Sequence, residues 1–564
     1  MTDDHPLYFV PLGGAGEIGM NVNLYGLDQR WLMVDLGITF ADDRIPGVEI
    51  ILPDIGFIEQ EKGKLDGLVL THAHEDHIGA VPYLWERLRC PIWCVPFTAA
   101  VLRRKLEEST IRQRVPINVV EPGETFRVGP FACRFVHMTH SIPEASMLVL
   151  ETPYGRILHT GDWKLDPAPQ LGEAGQIEAL QELGQTGGVL AMVADSTNIT
   201  NPGTSGSEAE VLEALTKVIA DQPNRVVLTT FASNVARLQT AMHAATKAGR
   251  RVALIGRSMR RMVAAAKDCG YLRDMPPLLD ERDVMHLPRR EVLLLCTGSQ
   301  AEPRAALARI ASGAHPRISL DPGDTAIFSS KIIPGNERII YDLHNNLVKQ
   351  GVTVITEDDH FVHVSGHPSR DEVAQLYRWV KPATVIPVHG ELRHLKEHVA
   401  FATSHGAKHA LLVTDGDLVR LAPGEPEIIG EVPVGRHAYE DGHFLAVDAE
   451  RYRQRRKLAN NGTLFVSLVL DSYGSVLAPP KVTSVGSVEL EDRSETLQDL
   501  ADALVDEMER LGDREIEDDA RVEERVRTTI RRHLALSRDR RPVIQVQIVR
   551  LSPEMLAQLE DAAT

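Results

Sequence analysis

Apolar positions in the first 160 residues come in short runs closed by Gly, Pro, Asn or Asp. "LYFVPLGG" (7–14), "NVNLYG" (21–26), "RWLMVDLG" (30–37), "LDGLVLTH" (65–72), "CPIWCV" (90–95), "FACRFVHMTH" (131–140), "MLVLETP" (147–153) and "RILHTGD" (156–162) each predict a strand. "AVPYLWERL" and "TAAVLRRKLEE" predict helices among them, and "GGVLAMVADST" is a further strand ending on an aspartate. From about 206 the texture changes to "SEAEVLEALTKVIAD" (helix), "RVVLTTFAS" (strand), "NVARLQTAMHAATKAG" (helix), "RVALIG" (strand) and "RSMRRMVAAAKDCG" (helix). This alternation, continued by "EVLLLCTGSQ", "TAIFSS" and "GVTVITE" to about 357, predicts a parallel sheet with crossovers. Strands return with "ATVIPVHG" and "HALLVTDGD". The last hundred residues form a separable unit: strands "TLFVSLVLD" and "GSVLAPPKVTSVG", charged amphipathic helices across 493–537, and the alternating strand "PVIQVQIVR". There is no internal repeat and no low-complexity tract.

A chain of 564 residues exceeds one hydrophobic core, so two to four domains are expected. No apolar stretch approaches the ~20 residues of a membrane-spanning helix. The acidic start "MTDDHPLYFVPLGG" lacks the order of a signal peptide. Five cysteines argue for a reducing cytoplasm rather than a disulfide framework. Cys90 and Cys94 form a C-x3-C without a second pair nearby, and burial as small apolar residues explains them better than a zinc knuckle. The net charge of −18 weighs against nucleic acid only on average. Basic clusters at "RSMRR" (257–261), "RYRQRRK" (451–457) and "RRHLALSRDRR" (531–541) offset it locally.

Two motifs carry candidate chemistry. "GGAGEIG" contains G-x-G-x-x-G with Asp35 downstream, but a dinucleotide site needs a long helix directly after the glycines. "MNVNLYGLDQRWLMVDLG" predicts two short strands there, so a tight turn bringing backbone close to a site is the better reading. "THAHEDHIGA" (71–80) is of another kind, with imidazoles and carboxylates gathered at a strand end. In an extended segment alternate side chains share a face, so His72 and His74 can grip one metal. Asp76 and His77 fall where the chain turns into a helix and point to a second ion. His140, Asp162 and His389 each sit just past an apolar run and can complete the two sites, with Asp162 the candidate bridge.

"THAHEDH" resembles the defining motif of the metallo-β-lactamase fold. Asp35, the cluster from His72 to His77, His140 and Asp162 match that fold's first four motifs in order. Asp195 in "VADSTN", His367 in "HVSGHPS" and His389 in "PVHGE" resemble the three further motifs of its β-CASP nucleic-acid-processing branch. With "GGAGEIGMN", "TFASN", "CTGSQAEP" and the C-terminal region, the chain resembles the bacterial ribonuclease J family over almost its whole length.

The resemblance implies an α/β protein: a metallo-β-lactamase αββα sandwich (1–205, returning at 358–450), an inserted β-CASP α/β domain (206–357) and a small α+β oligomerisation domain (451–564). It implies one divalent ion on His72, His74, His140 and Asp162 and another on Asp76, His77, Asp162 and His389, zinc ahead of manganese. Asp35 would orient a ligand from behind. Asp76, Asp195 and His367 would be catalytic, His367 as a proton donor or scissile-phosphate contact oriented by Asp195. The Ser-Gly turn of "HVSGHPS" exposes backbone N–H groups between two histidines and suits a phosphate. By resemblance His363, Val364, Ser365, Gly366 and His367 would hold it, with Ser233 and Asn234 facing them.

The activity implied is in-line hydroxide attack on a phosphodiester: 5′-to-3′ degradation of 5′-monophosphorylated single-stranded RNA, with internal cleavage, in RNA maturation and mRNA decay. A cytoplasmic homodimer or higher oligomer is implied, associated with other RNA-decay proteins and not with a membrane. Three other readings compete. A DNA nuclease of the same branch is disfavoured by His389, since a histidine at that motif accompanies RNA enzymes. A thioester or lactam hydrolase has no use for ~150 inserted residues. An inactive RNA-binding scaffold would lack ligands, and no ligand position departs from the pattern.

Overall fold

The structure, a computed structural model, describes residues 5–42, 44–109, 111, 114–486, 494–535 and 541–563. The chain divides into two compact units, one of residues 1–39 and 51–436 and one of 40–50 and 437–564.

The first unit contains two stacked sheets. One has eight strands in the order Glu427–Glu431, Asp417–Ala422, Leu7–Gly13, Val22–Leu27, Arg30–Val34, Leu65–Leu70, Ile92–Cys94 and Ile117–Val119. The other has seven: Thr125–Val128, Phe131–His137, Ser146–Thr152, Gly155–His159, Val189–Asp195, Pro382–Val388 and His409–Ala410. Their alternation sorts side chains to two cores. Leu148 and Leu150 face Phe9, Tyr25, Val34 and Val69 between the sheets. Met147 and Val149 point the other way, onto helices Ile177–Gln185, Arg370–Val380 and Leu392–Ser404 through Leu183, Tyr377 and Phe401. Helices Val81–Leu88 and Pro96–Leu106 cross between the parallel strands of the first sheet, burying Trp85 and Phe97. This is the expected αββα sandwich.

Between the second sheet's strands Val189–Asp195 and Pro382–Val388 the chain builds a five-stranded, all-parallel sheet. Its order is Arg251–Ile255, Val292–Cys296, Val226–Thr229, Thr325–Phe328 and Thr353–Ile355. Continuous apolar runs such as "VLLLC" are what a strand covered on both faces requires. Ser207 and Glu210 form a capping box on helix Glu208–Ala220, and Asn234 caps Val235–Lys247.

In the second unit, strand Thr463–Asp471 lies between Val476–Val485 (antiparallel) and Val543–Leu551 (parallel). Its Leu464, Val466, Leu468 and Leu470 pack under helices Ser494–Glu509 and Asp519–Ala535. Pro479 and Pro480 fall where the antiparallel register shifts, so the ladder loses no donor to them. "RYRQRRK" lies on helix Glu450–Asn461, and residues 493 and 536–537 of the expected helical stretch and 536–540 of the basic cluster lie outside the described residues.

Two features depart from the pattern reading. "HALLVTDGD" is not one strand: pairing stops at Ala410, and the Asp417 carboxylate closes a turn on the Thr414 N–H at 2.6 Å before the next strand starts. Leu411 and Val413 are apolar because they pack on the inter-sheet core, which needs no ladder. The return segment also carries helices Arg370–Val380 and Leu392–Ser404 beside its strands. Among the described residues no helix is long and apolar enough to cross a membrane.

Candidate metal centre and phosphate turn

Strands Gly155–His159, Val189–Asp195 and Pro382–Val388 run parallel, so Asp162, Asp195 and His389 emerge from one edge of the sheet. Leu65–Leu70 delivers His72 and His74 in extended chain (His74 φ −75°, ψ 154°) before the one-turn helix Glu75–Ile78 carrying Asp76 and His77. Asp35 and His389 both hold left-handed backbone, at φ 62° and 53°, a strained state for residues with side chains. The glycine turn contributes directly: the Gly14 carbonyl accepts from the His389 N–H at 2.6 Å. A Cβ on Gly13 would lie 2.1 Å from the Met20 carbonyl oxygen, so the close turn is why glycine stands there. The motif is a site-building turn and not a dinucleotide loop.

His72, His74, His140 and Asp162 offer one atom each within 4.8 Å of one another. His72 Nε2 is 3.0 Å and His140 Nε2 3.2 Å from His74 Nδ1, while Asp162 Oδ2 is 3.6 Å and 3.7 Å from the first two. Tetrahedral ligands at ordinary Zn–N distances stand ~3.3 Å apart, which matches. The remaining ring nitrogens explain which atom is free. The Thr71 hydroxyl gives its proton to Asp35 Oδ2 (2.9 Å) and therefore accepts from His72 Nδ1 (3.1 Å). His140 Nδ1 donates to the Gly366 carbonyl at 2.5 Å.

Asp76, His77, Asp162 and His389 form a second group, with His389 Nε2 3.1 Å and His77 Nε2 3.6 Å from Asp76 Oδ2. His77 Nε2 is 3.3 Å from Asp162 Oδ2, the same oxygen that faces the first group. Asp35, fully buried, accepts from His77 Nδ1 at 2.7 Å and from the Thr71 N–H at 2.8 Å, which orients His77 from behind. Asp162, Asp195, His367 and His389 make a third cluster. Asp162 thus belongs to all three, and its buried Oδ1 has no hydrogen-bond partner. A carboxylate so placed, among imidazoles and a second carboxylate, fits divalent cations.

The electrostatics divide the groups. Burial holds His72 and His140 well below the usual imidazole range and His74 down to about 4, so all three are neutral, the form that binds metal. Burial opposes charge at His77 and His389 too, but Asp162 and the neighbouring carboxylates outweigh it and raise both. His367 is raised by Asp195, which accepts from its Nδ1 at 2.8 Å, and by Asp162. His367 lies one residue past Gly366, so the turn is tied to the centre on both sides. A Cβ on Gly366 would sit 2.8 Å from the His140 ring, so only glycine permits that approach.

Within the turn, Ser365 Oγ accepts from the His367 N–H at 3.1 Å. Val364 is buried and offers the turn its backbone only. His363 Nδ1 faces the guanidinium of Arg237 at 3.3 Å, and burial with that charge keeps the ring neutral. Ser233 and Asn234 lie at the start of the helix that carries Arg237, and the Asn234 carboxamide oxygen is spent on the cap, accepting from the Arg237 N–H at 2.8 Å.

Three residues escaped the sequence reading. Arg237 is fully buried, paired with Glu208, and joins Ser329 and Val362 to the helix start. Thr197 Oγ donates to the His389 carbonyl (3.2 Å) and accepts from its Nδ1 (2.9 Å), leaving Nε2 free. Asn198 Nδ2 contacts Ser365 Oγ at 2.7 Å. Thr197 and Asn198 stand two and three residues after Asp195 in "DSTN", a polar run at a buried strand end, which is the one available signal.

Comparisons with known proteins agree with this architecture. Family models match at residues 16–229 (metallo-beta-lactamase superfamily), 223–347 (ribonuclease J, beta-CASP domain), 351–412 (Zn-dependent metallo-hydrolase RNA specificity domain) and 452–551 (ribonuclease J C-terminal domain). Ribonuclease J of Sinorhizobium meliloti is 42% identical, with 98% of each chain covered. Ribonuclease J of Mycolicibacterium smegmatis is 36% identical over 96% of each, and that of Thermus thermophilus 37% over 82% of each. A solved protein of unknown function from Enterococcus faecalis shares the fold at a TM-score of 0.50 and 16% identity, covering 73% of this chain and 99% of its own.

Proposed function

Because this chain belongs to the ribonuclease J family, one member of which it matches at 42% identity over 98% of each chain, we propose that it is a metal-dependent ribonuclease degrading single-stranded RNA from a 5′-monophosphate end. Internal cleavage is its second mode, and its place is cytoplasmic RNA maturation and mRNA decay. The observation that carries the reading is the hydrogen bond from His140 to Gly366, which joins a ligand of the first metal group to the phosphate turn. A terminal phosphate on that turn leaves the following phosphodiester beside the ligand groups.

His72, His74, His140 and Asp162 would hold one ion and Asp76, His77, Asp162 and His389 the other, zinc ahead of manganese. Such a pair activates water and draws charge from the phosphoryl oxygens. The chain's own groups supply the rest. Asp35, Thr71 and Thr197 hold ring tautomers so that each lone pair points inward. Asp195 accepts from His367 Nδ1 and favours the charged ring, whose Nε2–H can meet phosphate charge or give a proton to the leaving oxygen. Backbone N–H groups of 363–366, the His367 ring and the Ser365 hydroxyl grip the terminal phosphate, with Ser233 and Asn234 at the neighbouring helix start. Within the four spans read from the sequence, 451–564 serves oligomerisation, a dimer or larger, through which other RNA-decay proteins could be recruited.

The test is degradation of 3′-labelled RNA carrying a 5′-monophosphate or a 5′-hydroxyl, with and without chelator, alongside metal analysis. Mononucleotide release that requires metal and prefers the monophosphate is expected. Equal rates on both ends, or full activity in chelator, would sink the reading.

A further inference from the structure

Asn198 fixes the polarity of the Ser365 hydroxyl. Its Nδ2 lies 3.1 Å from the His367 carbonyl oxygen, an atom that can only accept, so this end of the carboxamide must be the NH2 group. The other end agrees, since Asn198 Oδ1 accepts from Asn201 Nδ2 at 3.1 Å. The same NH2 group is 2.7 Å from Ser365 Oγ, which therefore accepts. Ser365 Oγ also accepts from the His367 N–H at 3.1 Å. A hydroxyl has two lone pairs and one proton. Both lone pairs are filled by the protein, and only the O–H remains to face a ligand.

A phosphate monoester is rich in acceptors and carries charge, so a hydroxyl that can only donate suits it. A 5′-hydroxyl end brings neither that charge nor its array of oxygens. We propose that Asn198 is a specificity-setting positioning residue, which makes Ser365 an obligate donor and so tunes the preference for a terminal phosphate. This rests on the phosphate-turn reading above. Asn198 is itself buried, at 6% exposure, and reaches the turn through Ser365 and the His367 carbonyl. Asn198→Asp replaces the NH2 group with an acceptor. The Ser365 proton then turns back to the new carboxylate, and the ligand meets a hydroxyl with no proton to give, beside an added negative charge.

The measurement is kcat and KM on RNA with a 5′-monophosphate and with a 5′-hydroxyl, for wild type, Asn198→Asp, Asn198→Ala, Ser365→Ala and the Asn198→Asp/Ser365→Ala double variant, with melting temperature and metal content recorded for each. Asn198→Asp should lower the monophosphate preference about tenfold or more, chiefly through KM, with bound metal unchanged. Asn198→Ala, which frees one lone pair without reversing the proton, should fall between it and wild type. In the Ser365→Ala background Asn198→Asp should change the preference less, keeping only the part due to its added charge, because the route through the hydroxyl is gone. A wild type without end preference defeats the phosphate-turn reading itself. A preference present in wild type and unchanged in both Asn198 variants defeats the role of Asn198 alone. Equal losses on both substrates, or a full additional loss in the double variant, would likewise reduce Asn198 to a structural part.

Discussion

The cleft of the first unit and the sheet of the second break the usual partition of residues in opposite directions. In the cleft, polar groups are sunk: Asp35 and His72 are fully buried, and His77, Asp162, Asp195 and His389 are at 2–3% exposure. In the second unit, apolar groups are left out. One face of the Thr463–Asp471 sheet packs under helices, while Phe465 (46%), Leu477 (41%) and Val549 (40%) stay open on its strands. Burying charge or exposing a large side chain each costs stability, so each needs a compensating partner. The cleft's geometry asks for cations. The open sheet face asks for another surface, and the oligomer proposed above would supply one in a second copy of this chain.

The sharpest way to break the cleft is Asp162→Ala. One carboxylate serves every ligand group there, so its loss should abolish cleavage and strip metal, read by elemental analysis and by activity on phosphorylated RNA. Full activity with two ions bound would take Asp162 out of the centre. The open sheet should yield next. Phe465→Lys with Val549→Lys places two charges on strands that pair with each other, and light scattering should show dissociation to smaller species with weaker action on long RNA. An unchanged assembly would put the interface elsewhere.

How much of this was legible beforehand differs between the two regions for a physical reason. The seven candidate ligands follow apolar strands in short motifs, and strand ends in parallel register converge, so the clustering of His72, Asp162 and His389 is legible in the sequence. The alternation of "PVIQVQIVR" likewise announced a strand with two unlike faces. What stayed hidden depends on contacts between distant segments. Nothing local marks Arg237, in the first turn of a helix, as the group that meets His363 across 126 positions. That Asn234 spends its oxygen on a cap also follows only from where the helix begins. The helices Arg370–Val380 and Leu392–Ser404 lie beside motif residues whose apolar runs predict strands.

The phosphate turn lies between these extremes of burial, and its effect should be smaller. Ser365→Ala removes one neutral donor to a charged acceptor, about 1.5–3 kcal/mol. The 5′-monophosphate preference should fall about tenfold or more, with metals retained and internal cleavage affected less. RNA with a 5′-triphosphate should be a poor substrate for the wild type throughout, because a closed turn rejects the added bulk and charge. If exonucleolytic and internal cleavage fall in equal measure, the turn does not read the terminus.

The smallest effect concerns a buried carboxylate outside the ligand groups. Glu17, in the glycine turn, pairs with Arg436 at 2.6 Å, yet its Oε1 is buried without a hydrogen-bond partner. Burial raises its pKa to about 7 despite the guanidinium. The sign follows from proton binding: between the ordinary 4.5 and about 7 the folded chain holds a proton that the unfolded chain has lost. That contribution is fully present below the unfolded value and disappears as pH rises through the folded one. Stability should therefore drop by about 1–2 kcal/mol between roughly pH 5.5 and 8 on this account alone. Glu17→Gln cannot ionise, so urea midpoints of the variant relative to wild type should improve with rising pH across that window. A difference that is flat with pH would mean that Arg436 already satisfies the carboxylate. In that case the polar burial that costs stability would be confined to the groups that face the ions.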